Sequence, residues 1–524
     1  MMMSTVARAF KYSLIGCTAL GSAISVTTLA VNDDINPIGI VRLSRAARTV
    51  FQIGFMYKYD LFGIDKTSSE YKKIKSHCHQ KAAEMLLDLC CANKGVYIKV
   101  GQHIAALDYL LPTEYVQTMK VLHSHAPSNK LEDVYKVISE DFKKKPKEIF
   151  LSVDPEPLGT ASLAQVHKAF LHDGSVVAIK VQHPYVKNHA KVDMKSMEIM
   201  VKIVSLIFPE FKFQWLVDET KKNIPQELDF FNEGKNAEKV AKMFQCYPWL
   251  VVPKVRWDLT TSRVLTMDFV EGGQINDLEY INKNGLDRFE IADKLGKLYS
   301  RMIFIYGFVH SDPHPGNILL KKAEDGSCEI VLLDHGLYAT LSKDLRVEYS
   351  QLWLSILNKD KQGMKTHSRN LGIEGDIYGL FACMISGRTW DSLMEGITRK
   401  KPSLKEKKIM QDILPTVLPK INEILECVNR QMILIFKTND LMRGIEYTLN
   451  TSNRMASFKV MSCCCIRSVY GDKMDKARSI IDKLKIVATQ YWLLFKINIY
   501  YAFLTINEVY RNTVSRNLCL YTQN

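Results

Sequence analysis

The chain has 524 residues, 47% hydrophobic and 24% charged, with a formal net charge of +14. This is the profile of an ordinary folded protein, long enough for two or three domains that each bury a core. The positive excess suits an anionic membrane surface or a phosphorylated ligand. Nucleic acid is excluded as a partner class, because no dense Lys/Arg block interleaves with aromatics.

The first 32 residues contain no acid, and Arg8 and Lys11 precede an apolar or small run from Tyr12 to Val31. A mitochondrial presequence fits the missing acids and the many Ser and Thr. A single membrane-spanning helix fits the length, close to the ~20 residues a bilayer needs. A secretory signal fits the charge order, but the many cysteines argue against it. Residues 1–35 are assigned to mitochondrial targeting, with retention of the apolar run as an anchor left open.

Residues 36–150 read as a helical extension. Ser69 to Asn93 has apolar residues at helical spacing, with Lys and Glu opposite. After Gly95, the positions of Lys99, Gln102 and His103 put them on one helical face. Taken alone, that face is either a working surface or a solvated stripe. Pro112 fits the start of the next helix, and Lys143-Lys144-Lys145-Pro146 marks an exposed boundary.

The pattern changes at residues 151–270, expected as a small β-rich lobe. A loop of small residues, Gly159-Thr160-Ala161-Ser162, leads into an alternating run. Asp173-Gly174 is a hairpin signal, and Val177-Ala178-Ile179-Lys180 lies on the next strand. A Lys there, one hairpin after a small-residue loop, matches the phosphate-contacting Lys of kinases. A helical insert is expected from about Asn188 to Phe208. Glu227, Asp229 and Glu233 then compete as the carboxylate partner of Lys180. Val264 to Val270 completes the sheet, with Met267 and Phe269 as candidate nucleotide contacts, and Glu271-Gly272-Gly273 breaks it as a hinge.

Residues 271–460 are expected as a helical lobe, and 461–524 as a further helical extension. Phe308 to Asn317 reads Phe-Val-His-Ser-Asp-Pro-His-Pro-Gly-Asn, and a β-like run then ends in Asp334-His335-Gly336. This is the layout of a phosphoryl-transfer loop. Asp312 orients or deprotonates an acceptor, and Asn317 and Asp334 offer hard oxygens to Mg²⁺ on ATP phosphates. A metallohydrolase would use His310, Asp312, His314 and His335 as ligands, but leaves Lys180, the small-residue loop and Asn317 unexplained. Ser311 stands where kinases regulated on an activation loop have Arg, and no long activation segment or Ala-Pro-Glu follows. The twelve cysteines lack Cys-x-x-Cys spacing. They read as reduced structural thiols, with lipidation at Cys463-Cys464-Cys465 as the other reading. Ile480 to Val509 is apolar and aromatic but broken by Lys496 and Asn498, so a packed amphipathic helix is expected rather than a membrane span.

Lys99-Val100-Gly101-Gln102, Glu227-Leu228-Asp229, the loop at Gly159 and the Asp312–Asp334 region together resemble the UbiB-like, aarF-domain family of atypical kinases. The resemblance runs from about residue 70 to 450. It implies an α+β, two-lobed, protein-kinase-like fold with a helical extension folded over the active site. It further implies that Lys99 meets Glu227 and Asp229 as a gate with Gln102, and that Glu233 partners Lys180. Its implied cofactors are ATP and Mg²⁺. Its implied setting is coenzyme Q, lipid or mitochondrial membrane homeostasis, with membrane lipid and membrane-protein partners. Gly159 and Thr160 depart from the alanines usual in the coenzyme Q branch. A nucleotide-binding scaffold that organises partners is the alternative to an enzyme, although it has no need for both metal ligands.

Overall fold

A computed structural model describes residues 39–105, 111–124, 128–209, 213–311, 314–395, 417, 420–421, 423–425, 427–451 and 456–521. The segment assigned to targeting, 1–35, and the proposed acceptor-orienting Asp312 lie outside the described residues. The chain divides into two compact units, residues 1–235 with 254–269, and residues 236–253 with 270–524.

The first unit carries an antiparallel sheet. Its strands are β1 (Ser152–Val153), β2 (Gly159–Thr160), β3 (Ala164–Phe170), β4 (Val176–Gln182) and, after the second unit's strand β5 (Leu250–Val251), β6 (Val264–Asp268). The order is β1-β3-β4-β6, with β2 also on β3. The Asp173-Gly174 turn closes the β3–β4 hairpin: Gly174 takes φ +83°, and the Asp173 carboxylate accepts from the Ser175 backbone N–H at 2.8 Å. Alternation along β4 then sorts its side chains. Val177, Ile179 and Val181 are fully buried against Val134, Val137 and Ile138 of helix Leu131–Phe142. Lys180 falls on the other face of the sheet.

Helices Gly39–Asp60, Ser69–Asn93, Val96–Ala105 and Thr113–Met119 build a second core in this unit, with Ala46, Ile98, Met119 and Leu122 buried together. The expected insert is the helix Val186–Ile207. It is tied to the first of these helices by the buried pair Arg42–Asp193, whose two hydrogen bonds are 2.8 and 2.5 Å.

The second unit has a sheet ordered β5-β10-β9-β7, from β7 (Gly273–Gln274), β9 (Ile318–Lys322) and β10 (Cys328–Leu332), plus a pair made by β8 (Phe308–His310) and β11 (Tyr338–Thr340). Residues 236–253, expected with the first lobe, belong here: β5 pairs in parallel with β10, and Val240 and Phe244 enter the large helical core. The expected boundary between 460 and 461 is crossed by one helix, Ala456–Lys476, whose Cys464 and Cys465 are buried in that core. Lipidation of the two would require pulling them out of it. Among the described residues no helix is long and apolar enough to cross a membrane.

Candidate active site

In the first unit the strand lysine and a helix carboxylate meet. Lys180 Nζ lies 2.6 Å from Glu233 Oε1, with only 14% and 2% of the two side chains exposed. The Phe230 ring sits 5.5 Å from the ammonium and closes its apolar side. Of the three competing acids, Glu233 takes this place for a local reason. Asp229 Oδ1 accepts the Phe231 N–H at 3.1 Å and so caps helix Phe230–Met243. Glu233 then projects from the first turn, where the helix dipole favours a carboxylate. Gly234 lets that helix approach Trp257: a Cβ there would come within 2.7 Å of the indole.

The Lys-x-Gly-Gln run is a packing device. Lys99 is buried and pairs with Glu227 Oε2 at 3.0 Å, with 7% and 12% of the side chains exposed. Gly101 faces Leu122, into which a Cβ would run, and Gln102 Nε2 donates to the Leu122 carbonyl at 3.0 Å. The face that also read as a solvated stripe is therefore largely internal. The expected contact of Lys99 with Asp229 is not made: Asp229 is exposed and engaged in its cap.

The small-residue loop is held by a polar network that the sequence reading missed. His183 Nε2 donates to the Ala161 carbonyl at 3.0 Å, and its Nδ1 takes a bond from Asn129 Nδ2 at 2.8 Å. Gln165 bonds both backbone groups of Asn129, at 2.8 and 3.2 Å, and the His167 ring at 2.8 Å. Burial pushes the His183 pKa down, against the pull of the Ala161 carbonyl. The signal was present as Gln165 and His167 at buried positions of β3, but Asn129 and His183 lie outside the strands and no spacing rule pairs Asn129 with Gln165. Ser162 is buried, while a Cβ on Gly159 would meet nothing within 4 Å. Met267 is buried in β6, where it pairs with Ala178, and Phe269 lies under Lys168 at 4.9 Å.

In the second unit, antiparallel β9–β10 pairing sets Leu332 opposite Ile318. The residues just beyond this pair are thereby brought together, and the Leu333 N–H donates to the Asn317 carbonyl at 3.0 Å. Asn317 and Asp334 therefore share one end of a hairpin despite their separation in sequence. Asp334 Oδ1 accepts the Gly336 N–H at 2.8 Å, which fixes the carboxylate. His310 Nε2 donates to the Asp334 carbonyl at 2.7 Å, so the strand leading into the loop is tied to the acid. His335 bonds the Leu332 carbonyl at 3.1 Å through Nε2 and the Tyr338 hydroxyl at 3.0 Å through Nδ1. Both of its nitrogens are committed, so it acts as a strut and not as a ligand. Among the described residues no three His, Cys, Asp or Glu side chains form a metal group. Asn317 and Asp334 supply one amide and one carboxylate oxygen, the sparse hard-oxygen set that suits Mg²⁺ when phosphates complete the shell.

Residues 121–368 match the ABC1 atypical kinase-like domain. The AarF domain-containing kinase 1 of Drosophila melanogaster is 56% identical over 95% of this chain and 96% of its own. The AarF domain-containing protein kinase 1 of Mus musculus is 49% identical over 92% of each chain. Among solved structures, the Rv3197–erythromycin complex from Mycobacterium tuberculosis is 21% identical and covers 72% of this chain and 95% of its own, at a TM-score of 0.46.

Proposed function

The chain belongs to the ABC1/AarF family of atypical kinases, and from that premise we propose that it is a Mg²⁺-dependent, ATP-binding phosphotransferase working at the mitochondrial membrane. Its fold is the α+β kinase-like one, a small β-rich sheet followed by a mainly helical part. The observation that carries the reading is the Lys180–Glu233 pair at 2.6 Å. A cation fixed by a shielded carboxylate, one hairpin after a small-residue loop, is what positioning of ATP phosphates requires.

In this reading Lys180 contacts the phosphates, the Gly159–Ser162 loop lets backbone approach them, and Asn317 and Asp334 hold Mg²⁺. The metal supplies neutralisation of phosphate charge when bound. Asp312 receives the acceptor's proton. Lys99, Glu227 and Gln102 hold the helical cover in place. The acid-free N-terminal run supports mitochondrial location in this reading, and the family resemblance supports a role in lipid or coenzyme Q homeostasis.

The test is ATP turnover by the purified chain with and without liposomes, with mass spectrometry of protein and lipid products. Turnover that needs Mg²⁺ and is lost in Lys180→Ala and Asp312→Asn supports the enzyme. Nucleotide-dependent thermal stabilisation with no turnover under any condition supports the scaffold reading instead.

A further inference from the structure

Over residues 480–503, helix Ile480–Tyr521 presents two apolar faces. Ile486, Val487, Leu493, Leu494 and Ile497 are half-buried on the side turned inward. On the other side, Ile481, Leu484, Trp492, Phe495, Ile499 and Phe503 are each more than half exposed. Their spacing of three, four or seven to eight residues makes one continuous stripe. At 1.5 Å per residue it is roughly 33 Å long. An apolar stripe of this size marks an interaction surface.

We propose that this stripe is a docking surface for an anionic lipid bilayer, with the helix lying flat in the headgroup region. Charge identifies the occupant. Asp482 is the one acid between Ser479 and Asn507, whereas Lys483, Lys485 and Lys496 lie in the same stretch. By helical spacing Lys485 and Lys496 border the stripe. The Lys496 ammonium lies 5.2 Å from the Trp492 ring, so its stem runs along the aromatic and its charge ends at the polar edge. Aromatic residues flanked by lysines are the composition of a helix at the headgroup boundary. A protein interface core, in contrast, is depleted of Lys. The mid-helix charge and the absence of a spanning helix among the described residues fit surface binding. The inference is independent of the nucleotide chemistry.

The test uses the full chain with phosphatidylcholine vesicles, with and without phosphatidylglycerol, carrying brominated acyl chains. Emission of Trp492, taken as wild type minus Trp492→Phe, is expected to be quenched on anionic vesicles. Ala488→Glu places a charge on an exposed alanine within the stripe. It is expected to weaken vesicle binding about tenfold or more, with an unchanged melting temperature and Mg-ATP thermal shift. Lys485→Glu with Lys496→Glu is expected to erase the preference for anionic vesicles. The proposal is overturned if the chain does not bind vesicles, or if it binds with Trp492 unquenched. A self-associated form that Ala488→Glu dissociates, with no quenching, would reassign the stripe to a second copy of the chain.

Discussion

Replacing Lys99 with Ala removes one member of a shielded ion pair and takes away the cation 3.0 Å from Glu227, whose side chain is 12% exposed. Breaking such a pair from one side costs ~3–5 kcal/mol, because the remaining charge keeps its desolvation penalty without compensation. The helix that carries Lys99 does not depend on the pair for its core contacts: Val96, Tyr97, Ile98 and Ala105 stay buried. The unit should therefore fold, with a melting temperature about 6–12 °C lower for a loss near 3 kcal/mol. Amides of residues 96–105 should exchange faster. Lys99→Met with Glu227→Gln should cost less than the sum of the two single changes, since neither charge is then left alone. In assays with radiolabelled ATP, Lys99→Ala is expected to alter nucleotide selectivity or raise autophosphorylation, whereas Lys180→Ala weakens ATP use itself. A melting shift under about 2 °C with unchanged exchange would show that the pair holds nothing. Failure identical to that of Lys180→Ala would make Lys99 part of the phosphate site.

Asp334→Asn keeps an oxygen for the Gly336 N–H but loses the charge, so it should melt like wild type yet show no Mg-ATP thermal shift and no turnover. An intact shift would remove Asp334 from the metal set. His183 titrates below the usual 6.5 in the folded chain. Between that lowered value and 6.5 the unfolded chain binds more protons, so stability should fall as pH drops through 6.5. His183→Gln should flatten that part of a pH series of denaturant melts. Deleting residues 1–35 should leave a folded protein that no longer reaches mitochondria; imaging of a tagged truncation checks this, and an unchanged mitochondrial pattern places the signal elsewhere.

The β3–β4 hairpin was legible because Val-Ala-Ile-Lys alternates cleanly and Asp173-Gly174 permits little but a tight turn. The link between Asn317 and Asp334 was legible as two motifs, but their adjacency needed the strand register. Glu233 could not be separated from Glu227 and Asp229 by position, since the choice rests on a cap that Asp229 makes with its own helix. Burial of Lys99 was equally hidden. A lysine on a helical face reads as solvated until the carboxylate that meets it, from a helix over a hundred residues later, is in place. The helix Phe230–Met243 looked like part of one lobe because sequence order says nothing about which core Val240 and Phe244 join. The amphipathic reading of the C-terminal helix found its packed side; the exposed apolar side came only from the structure.

The β9–β10 hairpin has a practical corollary for anyone tagging or comparing such chains. Its tip, Glu324-Asp325-Gly326, is exposed, and is closed by backbone bonds from the Ala323 N–H to the Ser327 carbonyl and from the Gly326 N–H to the Ala323 carbonyl. The juxtaposition of Asn317 and Asp334 is set by pairing at the opposite end of the ladder. Residues added at the tip would lengthen the linear interval between the two while leaving them neighbours in space. A motif search that demands a fixed interval would then overlook genuine relatives. The same tip is a natural insertion point for an epitope or a fluorophore, at a distance from the chemistry it would report on.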